Sequence, residues 1–202
     1  MYHNILFNAR RHTAKDQYMK RIITIALALA MLAIFTGHIL GQITQNYQDI
    51  FDGRDLTGWK IGNQSLAGKT ETPDGRFTVT NGEIVVNRGR GVEILYTMKK
   101  FNDDFRLSLE FRASPRADSG LYIRGRQLQV RDYPTVGPYK VPHFHRGGWN
   151  SLSIRVTGQF AFCIADGDVL ETAFKVPTNG TIGLQAETGT FEYRNIRIEE
   201  LL

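Results

Sequence analysis

The sequence predicts an all-β domain, a two-sheet antiparallel sandwich of the jelly-roll type. Short runs of alternating apolar and polar residues fill residues 42–202, as expected for half-buried strands. Dipeptides that favour the positive φ of tight turns separate these runs, namely Asp52-Gly53, Asp74-Gly75, Asn81-Gly82, Asp166-Gly167 and Asn179-Gly180. The chain has one Cys, so no intrachain disulfide supports the fold, and Cys163 is expected to be a small buried apolar residue.

Nine strands are predicted in chain order. They are Phe77–Thr80, Glu83–Val86, Phe105–Arg112, Gly120–Arg124, Gln127–Asp132, Trp149–Val156, Phe160–Ile164, Thr181–Glu187 and Phe191–Glu199. A further run, Val169–Phe174, follows Asp166-Gly167-Asp168. The two aspartates are superficially similar to a calcium loop, but the dipeptide between two strand-like runs favours a hairpin turn.

The first 41 residues have the pattern of an export signal. Ile22–Phe35 is a nearly unbroken apolar run of 14 residues that follows Lys20-Arg21. This length fits a signal-peptide core and falls short of the roughly 20 residues that a spanning helix needs. We expect Met19 to be the natural start, residues 1–18 to be an over-extension, and cleavage to fall near Gly41. The predicted location is periplasmic or extracellular, with no stable membrane anchor after cleavage.

The charge distribution argues against a nucleic-acid partner. The net charge is +5, but residues 1–41 hold five basic residues against Asp16 alone and account for +4 of it. The remaining domain, residues 42–202, is therefore nearly neutral. A nucleic-acid-binding domain would carry its basic residues on the folded part.

Strand periodicity places a set of polar and aromatic side chains opposite the core. If their strands share one sheet, one surface collects Glu110, Arg112, Tyr122, Arg124, Gln129, Trp149, Gln185 and Glu187. Planar polar groups beside exposed rings suit a carbohydrate, whose hydroxyls need donors and acceptors and whose C–H face stacks on aromatic rings. Taken singly, these residues also fit solvated ion pairs and a tryptophan that covers a sheet edge.

Seven phrases in fixed order resemble one family. They are Ile50-Phe51-Asp52-Gly53-Arg54-Asp55-Leu56-Thr57-Gly58-Trp59, Asp104-Phe105 leading to Glu110-Phe111-Arg112, Asp118-Ser119-Gly120-Leu121-Tyr122-Ile123-Arg124, Gln127-Leu128-Gln129-Val130-Arg131-Asp132, Gly148-Trp149-Asn150, Ile182-Gly183-Leu184-Gln185 and Tyr193-Arg194-Asn195-Ile196. Over residues 47–201 the chain resembles the 3-keto-disaccharide hydrolase domain family, which is similar in fold to concanavalin A-like lectins and glucanases.

The resemblance implies an exported hydrolase of 3-keto-glycosides. A ketone at C3 acidifies the hydrogen on C2, so a base can remove it while the C1 oxygen leaves, and hydration of the enone completes hydrolysis. Glu110 is the first candidate for the base or acid, with Asp132 and Glu187 as rivals. Arg112 and Arg124 would hold an oxyanion or sugar hydroxyls. The other candidate substrate-binding residues are Tyr122, Gln129, Trp149, Asn150 and Gln185.

The sequence departs from the family pattern at three positions. Gly148 stands where the family has an acidic residue before Trp-Asn, Gln127 stands where Glu is common, and Glu187 lies near the position of a frequent His. Two alternatives to an enzyme remain open, and the missing acidic residue favours the first of them. One is a non-catalytic carbohydrate-binding module on the same face, and the other is a structural sandwich domain in an envelope assembly.

No cofactor or metal is predicted. His143-Phe144-His145 has a spacing that places two imidazoles on one side of an extended segment. With Asp132 or a glutamate they could bind a divalent ion. Two loop histidines beside Pro142 are the favoured interpretation.

Overall fold

The computed structural model describes residues 46–201, so the predictions for residues 1–41 lie outside the described part. Fourteen strands and a one-turn helix occur there: β1 (Gln48–Asp49), β2 (Trp59–Ile61), β3 (Gln64–Ser65), β4 (Phe77–Thr80), β5 (Glu83–Val86), β6 (Glu93–Thr97), β7 (Phe105–Ala113), β8 (Asp118–Ile123), β9 (Arg126–Arg131), α1 (Tyr133–Val136), β10 (Asn150–Thr157), β11 (Phe160–Ala165), β12 (Asp168–Lys175), β13 (Ile182–Ala186) and β14 (Phe191–Glu200).

The strands form two antiparallel sheets. The large sheet has the order β12-β11-β10-β7-β14-β5-β4, with β1 also paired to β14. The small sheet has the order β3-β2-β6-β13-β8-β9. The predicted all-β, two-sheet sandwich is therefore confirmed.

The core fills the space between the two inner faces. In β7 the residues alternate between buried and half-buried along the whole strand. Leu152, Ile154 and Val156 of β10 are buried in the same way, and so are Leu121 and Leu184 of the small sheet. Period-2 alternation therefore assigned the inward side chains of these strands correctly.

One polar contact joins the sheets inside the core. Ser119 of β8 is fully buried, its hydroxyl donates to the backbone oxygen of Gln185 at 2.6 Å, and its Oγ lies 3.0 Å from the hydroxyl of Tyr193 on β14. Desolvation raises the pKa of Tyr193, so its hydroxyl stays protonated.

The nine predicted strands all occur, most of them with ends shifted by one or two residues. Asp166 and Gly167 both have positive φ, 49° and 86°, between β11 and β12, which confirms the hairpin turn. Cys163 is fully buried, as expected. Sequence reasoning missed β1, β2, β3, β6 and α1, which are short. Among residues 46–201, no helix is long and apolar enough to cross a membrane.

Candidate functional site

The open surface of the small sheet carries planar polar and aromatic side chains. We call it the small-sheet face and define it by the side chains that alternate away from the core: Lys60, Ile94, Tyr96, Asp118, Tyr122, Gln127, Gln129, Arg131, Gln185 and Glu187. Gly120 and Gly183 occupy the same side of β8 and β13. The face therefore has two positions without a side chain near its centre.

The two glycines let the neighbouring side chains lie close to the backbone. A Cβ on Gly120 would stand 2.6 Å from Nε2 of Gln127 and 2.8 Å from Oε1 of Gln185. A Cβ on Gly183 would stand 2.7 Å from the ring of Tyr96. A larger residue at either position would displace these groups, because real Cβ atoms do not approach so closely.

A chain of hydrogen bonds orders the centre of the face. Nε2 of Gln127 donates to Oε1 of Gln185 at 2.7 Å, and the hydroxyl of Tyr122 donates to Oε1 of Gln127 at 3.4 Å. The neighbouring acceptor, Oε1 of Gln129, is buried and has no partner among the described residues. Such an unsatisfied buried acceptor is costly.

Two tyrosines flank Gly183 on either side of β13. The rings of Tyr96 and Tyr122 meet edge to face, with centroids 6.0 Å apart and an angle of 75° between their planes. Desolvation raises the pKa of both hydroxyls. Both tyrosines are therefore neutral donors at ordinary pH.

The small-sheet face carries two carboxylates in different situations. Asp118 lies at the start of β8, and its Oδ1 is 2.5 Å from Nε of Arg131, so these two charges neutralise each other. Glu187 follows β13 on the side of Gln185 and is half-buried. Desolvation raises the pKa of Tyr122, and the charge of Glu187 raises it further. Glu187 forms no ion pair with another described residue.

Three of the predicted site residues lie on the opposite surface. Nε of Arg194 donates to Oε2 of Glu110 at 2.6 Å, and Arg112 is paired with Glu192. The ring of Trp149 lies under two guanidinium groups, with its centroid 3.9 Å from Cζ of Arg194 and 4.8 Å from Cζ of Arg112. We call the open surface of the large sheet, with these residues, the large-sheet face.

The prediction of one shared surface is therefore wrong. Glu110, Arg112 and Trp149 belong to the large sheet or its immediate flank, because β7 pairs with β10 and β14. Tyr122, Gln129, Gln185 and Glu187 belong to the small sheet or its immediate flank, because β8 pairs with β9 and β13. Apart from Arg124, the strands were assigned their correct outward side chains, but the outward sides of the two sheets point in opposite directions.

Arg124, predicted to face outward, is buried. It follows the end of β8 with a φ of 52°, which breaks the alternation of the strand. Its guanidinium donates to the backbone oxygens of Phe101 at 2.7 Å, Asp103 at 2.6 Å and Gly158 at 2.9 Å. Desolvation lowers its pKa. Arg124 therefore anchors the loops around it.

Asp132 and Asn150 are also buried and also hold backbone groups. Oδ2 of Asp132 accepts a hydrogen bond from the backbone N–H of Arg116 at 2.9 Å. Oδ1 of Asn150 accepts from the backbone N–H of His145 at 2.7 Å, and its Nδ2 donates to the backbone oxygen of Gly148 at 3.0 Å. Asp132 and Asn150 therefore stabilise loops and lie away from the centre of the small-sheet face.

Of the two loop histidines, His143 contacts a carboxylate. Nδ1 of His143 lies 3.0 Å from Oδ1 of Asp168, and the backbone N–H of His143 lowers the pKa of that carboxyl by donating a hydrogen bond to it. Within residues 46–201, no group of three or more His, Cys, Asp or Glu side chains is arranged to hold a metal ion.

Sequence reasoning missed Lys60 and Tyr96 as candidate site residues, and it left Gln127 out of the site. The alternation of Glu93, Leu95 and Thr97 was a usable signal for β6. It would have placed Tyr96 on an outward side. The neighbours of Tyr96 in the small sheet depend on pairing between distant strands, which the pattern within one strand does not contain.

The chain belongs to the family described as the 3-keto-alpha-glucoside-1,2-lyase-like domain, whose match covers residues 46–199. That span is more than half of the chain, and it confirms the resemblance found in the sequence. The domain is therefore 3-keto-glycoside lyase-like, and its function is related to carbohydrates. No curated protein matches the chain.

Solved structures share the sandwich. Two provisionally named glycosyl hydrolases from Parabacteroides distasonis ATCC 8503 are similar. One has a TM-score of 0.64 and 16% sequence identity, and the match covers 78% of this chain and 95% of that chain. The other has a TM-score of 0.58 and 18% identity, and the match covers 77% of this chain and 100% of that chain. The exoplasmic/lumenal domain of VIP36 in its Ca2+/Man3GlcNAc-bound form has a TM-score of 0.51 at 11% identity, over 79% of this chain and 90% of that chain. At these identities the likeness establishes the fold alone.

Proposed function

We propose that the small-sheet face binds a glycoside oxidised to a ketone at C3 and cleaves its C1–O bond by β-elimination. The observation that carries this proposal is the ordered group of amides and tyrosines around Gly120 and Gly183, with Oε1 of Gln129 buried and unpartnered. Tyrosine rings can stack on the C–H face of a sugar, and amides can bind its hydroxyls. Membership of the 3-keto-alpha-glucoside-1,2-lyase-like family supports the choice of this reaction for the proposal.

In the proposed mechanism Glu187 is the general base. Its carboxylate removes the proton from C2 to give an enolate, whose electrons then form the C1=C2 bond as the C1–O bond breaks. The proton held by Glu187 passes to the leaving oxygen, which restores the carboxylate. Tyr122 stays protonated because its pKa is raised, so its hydroxyl can donate a hydrogen bond to the enolate oxygen at C3. Water then adds to the enone, with its hydroxyl on C1 and a proton on C2.

The candidate role of Glu187 is tested by Glu187→Gln. We expect kcat on a 3-keto-α-glucoside to fall by about 10²–10⁴, with substrate binding nearly unchanged, because the amide keeps the shape and loses the base. The matched control is Glu192→Gln, which removes a carboxylate from the large-sheet face and should keep wild-type turnover. The parent α-glucoside should not react, since its C2 hydrogen lacks acidity.

A non-catalytic binding module is the second candidate. It is favoured by the central positions of the small-sheet face, where Gln127, Gln129 and Gln185 offer amides and no carboxylate. A module would bind both the keto-glycoside and its parent and cleave neither. Binding of both with no turnover by the wild-type protein would establish this second candidate. Normal turnover by Glu187→Gln together with loss in Glu110→Gln would move the chemistry to the large-sheet face.

We also propose that the domain is exported, on the sequence pattern of residues 19–41. The expected mature chain begins near Gln42. Intact-mass measurement on protein recovered from the native envelope checks this expectation. A mature chain that still contains Ile22–Phe35 would contradict it and indicate a membrane anchor.

A further inference from the structure

Two open pockets lie at opposite ends of β13, one beside the small-sheet face and the other among loops that join the two sheets. One, of about 420 Å³, is bordered by Lys60, Tyr96, Lys100 and Thr181 among others. The other, of about 340 Å³, is bordered by Arg88, Arg116 and Glu187 among others. From Thr181 to Glu187 the chain extends for about 20 Å, taking the rise of roughly 3.3 Å per residue of a strand. The pockets therefore bracket the group of amides and tyrosines described above.

The charges that border these pockets are mostly positive. Lys60 and Lys100 border one pocket, and Arg88 and Arg116 border the other. Among the described residues, none of the four forms an ion pair. Glu187 is the carboxylate on their borders, and Arg124, a fifth cation there, is already bound to backbone oxygens. Four unpaired cations therefore surround a neutral centre.

The four cations at the pockets differ from three arginines of the large-sheet face that lie beside carboxylates. On the large-sheet face Arg106, Arg112 and Arg194 each have a carboxylate partner. Unpaired cations at both ends of a groove attract an anionic ligand and orient it, and a guanidinium matches the planar oxygens of a carboxylate.

We propose that the natural ligand of the small-sheet face is an oligosaccharide that carries uronic-acid carboxylates on both sides of the sugar bound at the centre. This inference rests on the proposed function, because it assigns the ligand class to the same face. Lys60 and Lys100 bind the carboxylate at one end, and Arg88 and Arg116 bind the carboxylate at the other. The neutral amides and tyrosines bind the sugar between them.

The test compares tetrasaccharides that differ in charge alone. The first pair of probes is tetragalacturonate and its full methyl ester. The second pair is a β-1,4-linked tetraglucuronate and cellotetraose. Binding of each probe is measured by calorimetry at low and at high salt. We expect the acidic member of at least one pair to bind about tenfold or more tightly at low salt, with the advantage shrinking as salt screens the charges. Lys100→Gln and Arg116→Gln should each weaken binding of the acidic probe about two- to fivefold. Arg155→Gln, an exposed cation on the large sheet, is the matched control and should change nothing.

Each other outcome overturns the inference in a distinct way. Equal binding of the acidic and neutral members would refute the uronate assignment while the carbohydrate function stands. Turnover of a 3-keto-α-glucoside without binding of any tetrasaccharide would also refute the uronate assignment and leave the carbohydrate function standing. Tighter binding of a sulfated tetrasaccharide than of either uronate would assign the cations to sulfate. Failure to bind any saccharide and to turn over any keto-glycoside would refute the proposed function as well.

Discussion

The two open faces of this sandwich differ in how their polar groups are satisfied. On the large-sheet face three arginines are paired with carboxylates, namely Arg194 with Glu110, Arg112 with Glu192 and Arg106 with Glu199. On the small-sheet face the central groups are neutral amides and phenols. One of their acceptors, in Gln129, is buried without a partner among the described residues.

Charge density is therefore a poor guide to the binding face of a sheet. Exposed ion pairs on a sheet contribute about 0–1 kcal/mol and occupy each other's hydrogen-bonding groups. They also occur routinely on solvated faces. An ordered set of neutral groups with an unmet acceptor has more to gain from a ligand. The small-sheet face is therefore the better candidate, although the large-sheet face contains more charges.

The largest expected effect is at Arg124, which belongs to neither face. Arg124→Met leaves the backbone oxygens of Phe101, Asp103 and Gly158 without their buried donor. We expect a loss of about 3 kcal/mol in the free energy of unfolding, since each unsatisfied buried acceptor costs about 1–3 kcal/mol and some will reach water. Urea denaturation measures the loss.

The matched control for Arg124 is Arg126→Met, two residues along the chain. Arg126 is exposed, and its guanidinium lies over the ring of Phe174 with Cζ 5.8 Å from the centroid. This change should stay within about 0.5 kcal/mol. Equal, small losses in the two variants would show that Arg124 is not a structural anchor, and its predicted role in substrate binding would regain support.

A second, smaller effect separates the two faces directly. Gly120→Val places a branched side chain among the amides of Gln127 and Gln185, and we expect it to weaken saccharide binding by about 1–3 kcal/mol through their lost hydrogen bonds. Ser108→Val is the control at the centre of the large sheet, where Ser108 faces Ser153 of β10. Calorimetric titration of both variants is the measurement. Weaker binding in Ser108→Val, with Gly120→Val unaffected, would reverse the assignment of the faces.

The sequence predicted the strands and their inward sides well, because both follow from local alternation. It did not predict which strands share a sheet, because pairing between β7 and β14 or between β8 and β13 is set by contacts far apart in the chain. The candidate site was therefore divided between two faces. Tyr122, Gln129, Gln185 and Glu187 remain together, and Glu110, Arg112 and Trp149 form a separate group.

Arg124 shows a different limit. Alternation from Leu121 and Ile123 places it outward, but the residue has left the extended conformation, with a φ of 52°. A non-glycine residue with positive φ is uncommon, so the default expectation for an arginine after a strand is a continued strand. Asp132 and Asn150 were misassigned for a related reason. A carboxylate and an amide suggest catalysis or substrate binding when they are read from the sequence. The burial of these two side chains and their backbone partners become visible only in the folded loops.

Trp149 of the large-sheet face should give the least change among these variants. An outward tryptophan beside polar strands suggests a sugar platform, but its ring is already covered by Arg112 and Arg194. We expect Trp149→Ala to lower the free energy of unfolding by about 1–2 kcal/mol, from two partly exposed cation–π contacts of about 0.5–1 kcal/mol each. Saccharide binding should stay at the wild-type level. Tyr96→Ala is the comparison on the small-sheet face. Because no guanidinium covers the Tyr96 ring, its removal should weaken saccharide binding. A loss of binding in Trp149→Ala without a loss of stability would mean that the ligand displaces the guanidinium groups and that the large-sheet face is the binding surface.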